Sequence, residues 1–360
     1  MIFYQTSIHI LNFKMQQSYL EIDGAMGEGG GQVLRTALAL SICTGKAFRI
    51  SQIRAGRKKP GLQRQHLTAV RAARDISGAQ LEGDEIGSTT LTFVPSGLWS
   101  GNYHFAIGTA GSTTLVLQTV LYPLLLAEGE SRITLTGGTH NIHAPPYDFL
   151  AQVFLPILNR MGPQITVSLE RYGFYPTGGG QLTVHITPTP KLSGFSLMER
   201  GKIIAHQARA LITGIPEHVA LRELERVAKK LKWSEECLHH CPLSRDQGQG
   251  NVLLLEVQSE HITEIFAGFA QRGVRAEAVA DGAIKMAKNY LAAEVPVGEY
   301  LADQLLLPLA LAGEGEFITL APSRHTLTNM QVIQMFLSVP ITQSQLRRDA
   351  WRIRIGARPR

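Results

Sequence analysis

Three stretches of this chain hold residue types suited to binding and reacting at a charged group. The first is Asp23-Gly-Ala-Met-Gly-Glu28-Gly-Gly-Gly-Gln32, which runs into an apolar segment carrying Arg35. Consecutive glycines expose backbone N–H groups, and a helix starting near Gln32 would add positive potential at its N-terminus, so an anion fits there. A loop packed closely against its surroundings would use the same glycines, and both readings stand on the glycines alone. Glu28 and Arg35 add chemistry: a carboxylate able to hold a divalent metal on a triphosphate, and a guanidinium one turn into the helix. The stretch is no Walker A loop, because no Gly-Lys-Ser/Thr follows, and Gln32 stands where a dinucleotide fingerprint needs its third small residue.

The second stretch packs five cations, Arg54, Arg57, Lys58, Lys59 and Arg64, into a loop and helix start that continues into Gln65 and His66. A solvated basic loop has this composition, and so does a site for a terminal phosphate or an RNA backbone. The third is Ser323-Arg-His325-Thr-Leu-Thr-Asn329, read as a loop between a strand and a helix. A single loop histidine is usually structural; what marks His325 is its place in a larger pattern.

That pattern is repetition. A polar loop with glycine leads into an apolar helix bearing one glutamine three times, around Gln32, Gln118 and Gln304. Each is followed by a strand, a polar loop and a second helix: Phe48–Ile53 with helix 63–76, Ser131–Thr136 with helix 147–161, and Glu316–Leu320 with helix 328–337. The first two copies lie about 85 residues apart and the last two about 185, as if about 100 residues had been inserted. Strand-like 202–208 and 251–257 and helix-like 217–231 and 278–291 give that insertion a small α/β domain of its own. The expected architecture is α/β (α+β): three repeated units of two helices and a four-stranded sheet form a large domain, 19–198 with 297–345. A smaller domain is inserted at 199–296, and 1–18 and 346–360 are extensions. Side by side, the repeats would bring the Arg54–Gly61, Gly137–Pro146 and His325 loops together.

Composition narrows the class. Apolar residues are 44% and charged residues 18%, which suits a folded core and excludes a disordered chain. The net charge of +6 suits a polyanionic partner without requiring one. Three cysteines cannot build a disulfide framework, and Cys237-Leu-His-His-Cys241 places its ligands too close together for a tetrahedral zinc site. No apolar run reaches the ~18 residues of a membrane span, and 1–17 lacks the layout of a signal peptide, so a cytoplasmic protein without a membrane segment is expected.

The run from Asp23 to Arg35 resembles the signature of RNA 3'-terminal phosphate cyclases. So do Ile53–His66, Gly173-Phe-Tyr-Pro-Thr-Gly-Gly-Gly180, Asp246-Gln-Gly-Gln-Gly250 and Gly298-Glu-Tyr-Leu-Ala-Asp-Gln304, in the family's order. The resemblance spans about Tyr19 to Pro340. It implies a ligase that closes an RNA 3'-phosphate into a 2',3'-cyclic phosphodiester with ATP, through an enzyme–histidine–AMP and an RNA–adenylate intermediate, releasing AMP and diphosphate. It implies His325 as nucleophile and Glu28 as the metal-linked glutamate, for Mg²⁺ or Mn²⁺. Arg35, Gln118, Tyr300, Leu301, Ala302, Asp303 and Gln304 fall on the ATP site, and Arg54, Arg57, Gln65 and His66 on the phosphate or RNA side. Arg324 receives no role. The expected partners are an RNA 3'-phosphate end and ATP, in a monomer or homodimer. No Lys-x-Asp-Gly motif is present, which argues against a lysine-type ligase. Two alternatives carry different chemistry: a non-catalytic, RNA-binding relative acting in ribosome assembly, and an enolpyruvyl-transferase-like enzyme built on the same repeat.

Overall fold

Residues 18–356 are described by the structure, a computed structural model. The opening segment 1–17, with its candidate start at Met15, lies outside the described residues. The chain forms four four-stranded sheets. The first unit is β1 (Leu20–Asp23), α1 (Gln32–Thr44), β2 (Phe48–Ser51), α2 (Arg64–Ser77), β3 (Gln80–Glu82) and β4 (Leu91–Val94). Its sheet order is β1-β2-β4-β3, with β1 and β2 parallel and the other pairs antiparallel.

The second unit repeats this plan with β5 (Asn102–Ala106), α3 (Thr113–Leu124), β6 (Ser131–Gly137), α4 (Tyr147–Phe149), α5 (Leu155–Arg160), β7 (Gln164–Arg171) and β8 (Gly180–Thr187). Its order is β5-β6-β8-β7 with the same directions. The single helix expected over 147–161 is divided by a π-helical turn at Leu150–Phe154. Pro156 opens α5, and a proline can neither donate to the preceding turn nor fit its ring against it, so the backbone widens there.

The third unit starts at β9 (Ser196–Leu197) and resumes only after β10 (Ile203–Thr213), α6 (His218–Leu231), β11 (Leu238–Pro242), β12 (Gly250–Ser259), β13 (Thr263–Phe269) and α7 (Ala276–Ala293). It then continues through α8 (Glu299–Ala312), β14 (Gly315–Thr319), α9 (Arg324–Phe336), β15 (Ile341–Arg347) and β16 (Ala350–Ile355). Its order, β15-β16-β14-β9, is the same pattern read from the other edge. Of the stretch 346–360, expected to be an extension, Ala350–Ile355 therefore supply a strand inside this sheet, and 357–360 lie outside the described residues. Ala350, Ile353 and Ile355 are buried, while Arg354 stands opposite Glu316 across the strands and bonds to it at 3.0 Å. Arg352 joins the same carboxylate at 2.9 Å, so these two cations are cross-strand partners.

The intervening strands form the fourth sheet, β11-β10-β12-β13. Every residue from Gly250 to Leu255 is buried, and the period-2 pleat explains why. Val252 and Leu254 join the core of the repeated units, whereas Leu253 and Leu255 pack with Ala220, Val227 and Ala283 beneath α6 and α7. At full burial each of these leucines contributes about 1.5–3 kcal/mol.

Glu264, on β13, is 2% exposed and accepts a hydrogen bond from the Gly298 N–H at 2.5 Å, which ties this sheet to the start of α8. Burial pushes its carboxyl up to about 8, against the smaller opposing effect of the backbone hydrogen bonds. Between the ordinary carboxylate range and about pH 8 the folded state therefore holds a proton that the unfolded state has lost, and stability falls as pH rises through that window. Glu264→Gln keeps an acceptor for Gly298 and removes the titration. Its melting temperature relative to the unaltered chain should rise from pH 5 to about pH 8 and level off above that. Parallel curves would show that Glu264 is ionised throughout.

Candidate active site

Gln118 and Gln304 fall at the same position of α3 and α8, whereas Gln32 opens α1, and all three line one polar cavity of about 40 Å³. Arg35, Thr36, Tyr122, Asp303 and Asn329 complete most of its wall. Gln118 donates to Gln304 Oε1 at 2.8 Å, and Gln32 Nε2 lies 2.7 Å from both oxygens of Asp303. Asn329 donates to the Asp303 carbonyl at 3.0 Å and accepts from Thr36 at 2.8 Å. Of the run Tyr300–Gln304, then, Asp303 and Gln304 face the cavity. Leu301 and Ala302, expected on the ATP site with their neighbours, turn the other way into the hydrophobic core. A helix advances about 100° per residue, so a contiguous motif cannot present every side chain to one ligand.

His325 is on the first turn of α9, not in a loop before it. Ser323 caps that helix, its Oγ accepting from Thr326 N at 3.2 Å, and this starts the helix four residues earlier than the polar sequence suggested. The imidazole Nδ1 lies 3.0 Å from Gln32 Oε1 and 3.0 Å from Glu28 Oε2. Both are acceptors, so Nδ1 carries the proton. Nε2 is left with its lone pair and makes no hydrogen bond among the described residues. Burial lowers the His325 pKa from its ordinary value; Asp303 opposes that effect, and the Arg35 and Arg57 guanidiniums reinforce it. The ring is neutral at neutral pH. Asp303 is pushed upward by burial, while His325, Gln32, Asn329 and Arg35 pull it back.

Glu28 is held in the glycine loop between α9 and the basic loop. Its N–H meets Thr328 Oγ1 at 3.3 Å, and its carboxylate pairs with Arg57 through Oε1. Gly27 has φ +56°, and a Cβ there would collide with the Thr328 side chain, so only glycine lets the loop lie against α9. Arg324, given no role by the sequence, donates to the Gly27 carbonyl at 3.0 Å and pins the same contact. Gly31 is needed for a different reason: a Cβ there would run into the His66 ring.

Of the residues expected on the phosphate or RNA side, Arg57 is paired with Glu28 beside His325, whereas Arg54, Gln65 and His66 gather beyond that glycine. Burial, reinforced by Arg35 and Arg54, holds His66 down at about 3, so the ring is neutral, and its buried Nδ1 has no hydrogen-bond partner among the described residues. Arg35 is lowered to about 10 by burial, against the pull of Asp303, and stays a cation at neutral pH. Arg54 has φ +57° and gives one guanidinium nitrogen to the carbonyls of Lys59 and Gly61, at 2.6 and 2.8 Å, which folds its own loop. Gln65 accepts from Ser112 N at 2.7 Å, tying this loop to the start of α3. Sequence reasoning assigned no role to Gln32, Thr36, Tyr122 or Asn329. The signal for Gln32 was present, because it is the first member of the glutamine series.

Three like units around a polar centre, with a neutral half-exposed histidine, a half-buried arginine and a glycine-rich loop, define a repeat-built α+β protein equipped for a polyanion. The family profile described as RNA 3'-terminal phosphate cyclase matches residues 26–342. The chain is 50% identical over 341 residues to the RNA 3'-terminal phosphate cyclase of Ectopseudomonas mendocina, covering 95% of this chain and 99% of that protein. It is 51% identical over 343 residues to that of Pseudomonas fluorescens, covering 95% and 99%. Against that of Koribacter versatilis it is 50% identical over 324 residues, covering 90% and 91%. The chain belongs to the RNA 3'-terminal phosphate cyclase family.

Proposed function

We propose that the protein converts an RNA 3'-phosphate into a 2',3'-cyclic phosphodiester at the expense of ATP, with His325 as the adenylated residue. The observation that carries this reading is the imidazole itself: neutral, its side chain half-exposed, its Nδ1 facing two acceptors and its Nε2 without a hydrogen bond among the described residues. Nε2 attacks the α-phosphorus of ATP, a P–N bond forms, and the bond to diphosphate breaks. An oxygen of the RNA 3'-phosphate then takes the adenylyl group from the histidine. The neighbouring 2'-OH attacks the terminal RNA phosphorus and expels AMP, a ring closure accelerated by proximity. The need for that hydroxyl selects RNA over DNA.

Arg35 supplies fixed positive charge where the triphosphate sheds its leaving group. The cavity of about 40 Å³ is too small for a nucleobase. ATP therefore lies across its mouth, between the 27–31 loop, Gln118 and the start of α8, where the Tyr300 ring is 56% exposed and free to stack on adenine. Arg57, Gln65 and His66 serve the RNA phosphate beyond Gly31, with Arg54 shaping their loop. Among the described residues no three His, Cys, Asp or Glu side chains cluster as a resident metal site needs. The single carboxylate of Glu28 does suit Mg²⁺ or Mn²⁺ arriving on the triphosphate, since such an ion takes one or two carboxylates with phosphates and water. So bound, the ion would neutralise charge on the departing diphosphate.

We further assign 199–296 as a domain inserted into the repeated one, and the cytoplasm as the protein's place. Among the described residues no helix is long and apolar enough to cross a membrane. A non-catalytic RNA-binding role finds no support, because Glu28, Arg35 and His325 are all present and His325 and Glu28 are in contact.

Incubation with α-labelled ATP tests the proposal, since neither a scaffold nor an enolpyruvyl-transferase-like enzyme would become covalently labelled. Glu28→Ala should slow labelling about 10- to 100-fold. It should change stability by under about 1 kcal/mol, because its partner Arg57 is half-exposed. An unchanged labelling rate with stability intact would remove Glu28 from the site.

A further inference from the structure

Between α2 and the edge strand β5 runs an open groove of about 510 Å³, apart from the His325 cavity and within the range of ligand clefts. One wall is the helical face of Arg64, Thr68 and Arg71; the other is His104 to Ile107, with Glu85 and Ile86 at one end. Its two arginines differ. Arg71 is held by Asp84, at 3.5 Å from the carboxylate and 3.3 Å from the carbonyl. The exposed Arg64 guanidinium makes no ion pair or hydrogen bond among the described residues, and it reaches toward Gly108, in the loop after β5. The next two residues of the same helical turn, Gln65 and His66, lead toward Ser112 and Gly31, and Gly31 adjoins Gln32, which touches His325.

We propose that this groove binds the nucleotide immediately upstream of the RNA 3' end, with Arg64 on its phosphate; the assignment rests on the cyclase reading above. The occupant follows from continuity. A strand whose terminal phosphate lies beside Gln65 and His66 has its next phosphate at the start of α2, where Arg64 is uncompensated. The half-exposed Ile86 and the exposed His104 ring offer an apolar and stacking surface to its base. Asp84 and Glu85 make the far end anionic and repel further phosphates, so the groove takes about one nucleotide and not a long tract.

The test is competition binding with unlabelled RNA 3'-phosphates from a mononucleoside 3'-phosphate to a hexamer, alongside adduct formation from α-labelled ATP. In the unaltered chain, affinity should rise about tenfold from one nucleotide to two and little thereafter. Arg64→Ala should lose that gain, leave the mononucleoside 3'-phosphate unchanged, and lower the salt slope for longer RNA by about 0.7. Arg64→Lys should restore part of it, and adduct formation should match the unaltered chain in both variants. An equal loss at every length would place Arg64 on the terminal phosphate, and no loss would empty the groove of RNA; either result overturns the assignment. If the unaltered chain forms neither adduct nor cyclic ends, the cyclase reading fails instead, so the two failures are distinguishable.

Discussion

His325→Ala should form no enzyme–AMP adduct and cyclise no RNA, with a loss on the order of 10⁴-fold or more, because no neighbouring group can replace the nucleophile. The side chain is 49% exposed, so the fold should survive with a change of about 1 kcal/mol or less. His325→Asn should fail equally. An amide can imitate the Nδ1 hydrogen bond to Gln32 but cannot attack phosphorus, so a partly active Asn variant would mark a structural histidine. The direction of the pKa shift adds a pH signature. With the imidazole held below its ordinary range, adduct formation should be flat from neutral to alkaline pH and fall only on the acid side of ordinary imidazole titration. The adduct should be acid-labile and alkali-stable, as a P–N bond to imidazole is.

Gln32→Met should be the second most damaging change. Gln32 stands between Asp303, to which it donates, and His325, to which it presents Oε1. It fixes which ring nitrogen carries the proton and where the other points. Methionine fills a similar volume with no amide, leaving Nδ1 only the Glu28 contact and Asp303 buried without its donor. Adduct formation should fall about 100-fold, the scale seen when the partner orienting an imidazole is removed. A positioning role also moves the pH profile. With Asp303 released from Gln32, the acid limb of the adduct-forming rate should shift, whereas simple loss of packing would lower the rate equally at every pH.

Much of this was legible in the chain, for reasons particular residues make plain. The three units announced themselves because each keeps a glycine loop before a glutamine-bearing helix, and the three glutamines, though not in one register, meet at a shared centre. The elements that intervene between β9 and α8 showed as a doubled spacing. What failed to show was decided by partners distant in sequence. Arg352 and Arg354 fall in what reads as an extension until Glu316 stands across the sheet from them. Ser-Arg-His-Thr reads as loop because a single capping hydroxyl decides where α9 begins. Leu301 and Ala302 were credited to the site because a motif is linear and a helix is not. The Asp303–Gln32–His325 chain joins residues 271 and 293 positions apart, a link no local pattern can announce.

The most direct test of the account is to locate the AMP. The unaltered chain, incubated with ATP and divalent metal without RNA, is digested at alkaline pH and the adenylated peptide fragmented in a mass spectrometer. The account requires one AMP, on the α9 peptide, at His325. Label on a lysine or on another histidine, or no covalent AMP in a preparation that still cyclises RNA with ATP, would contradict it.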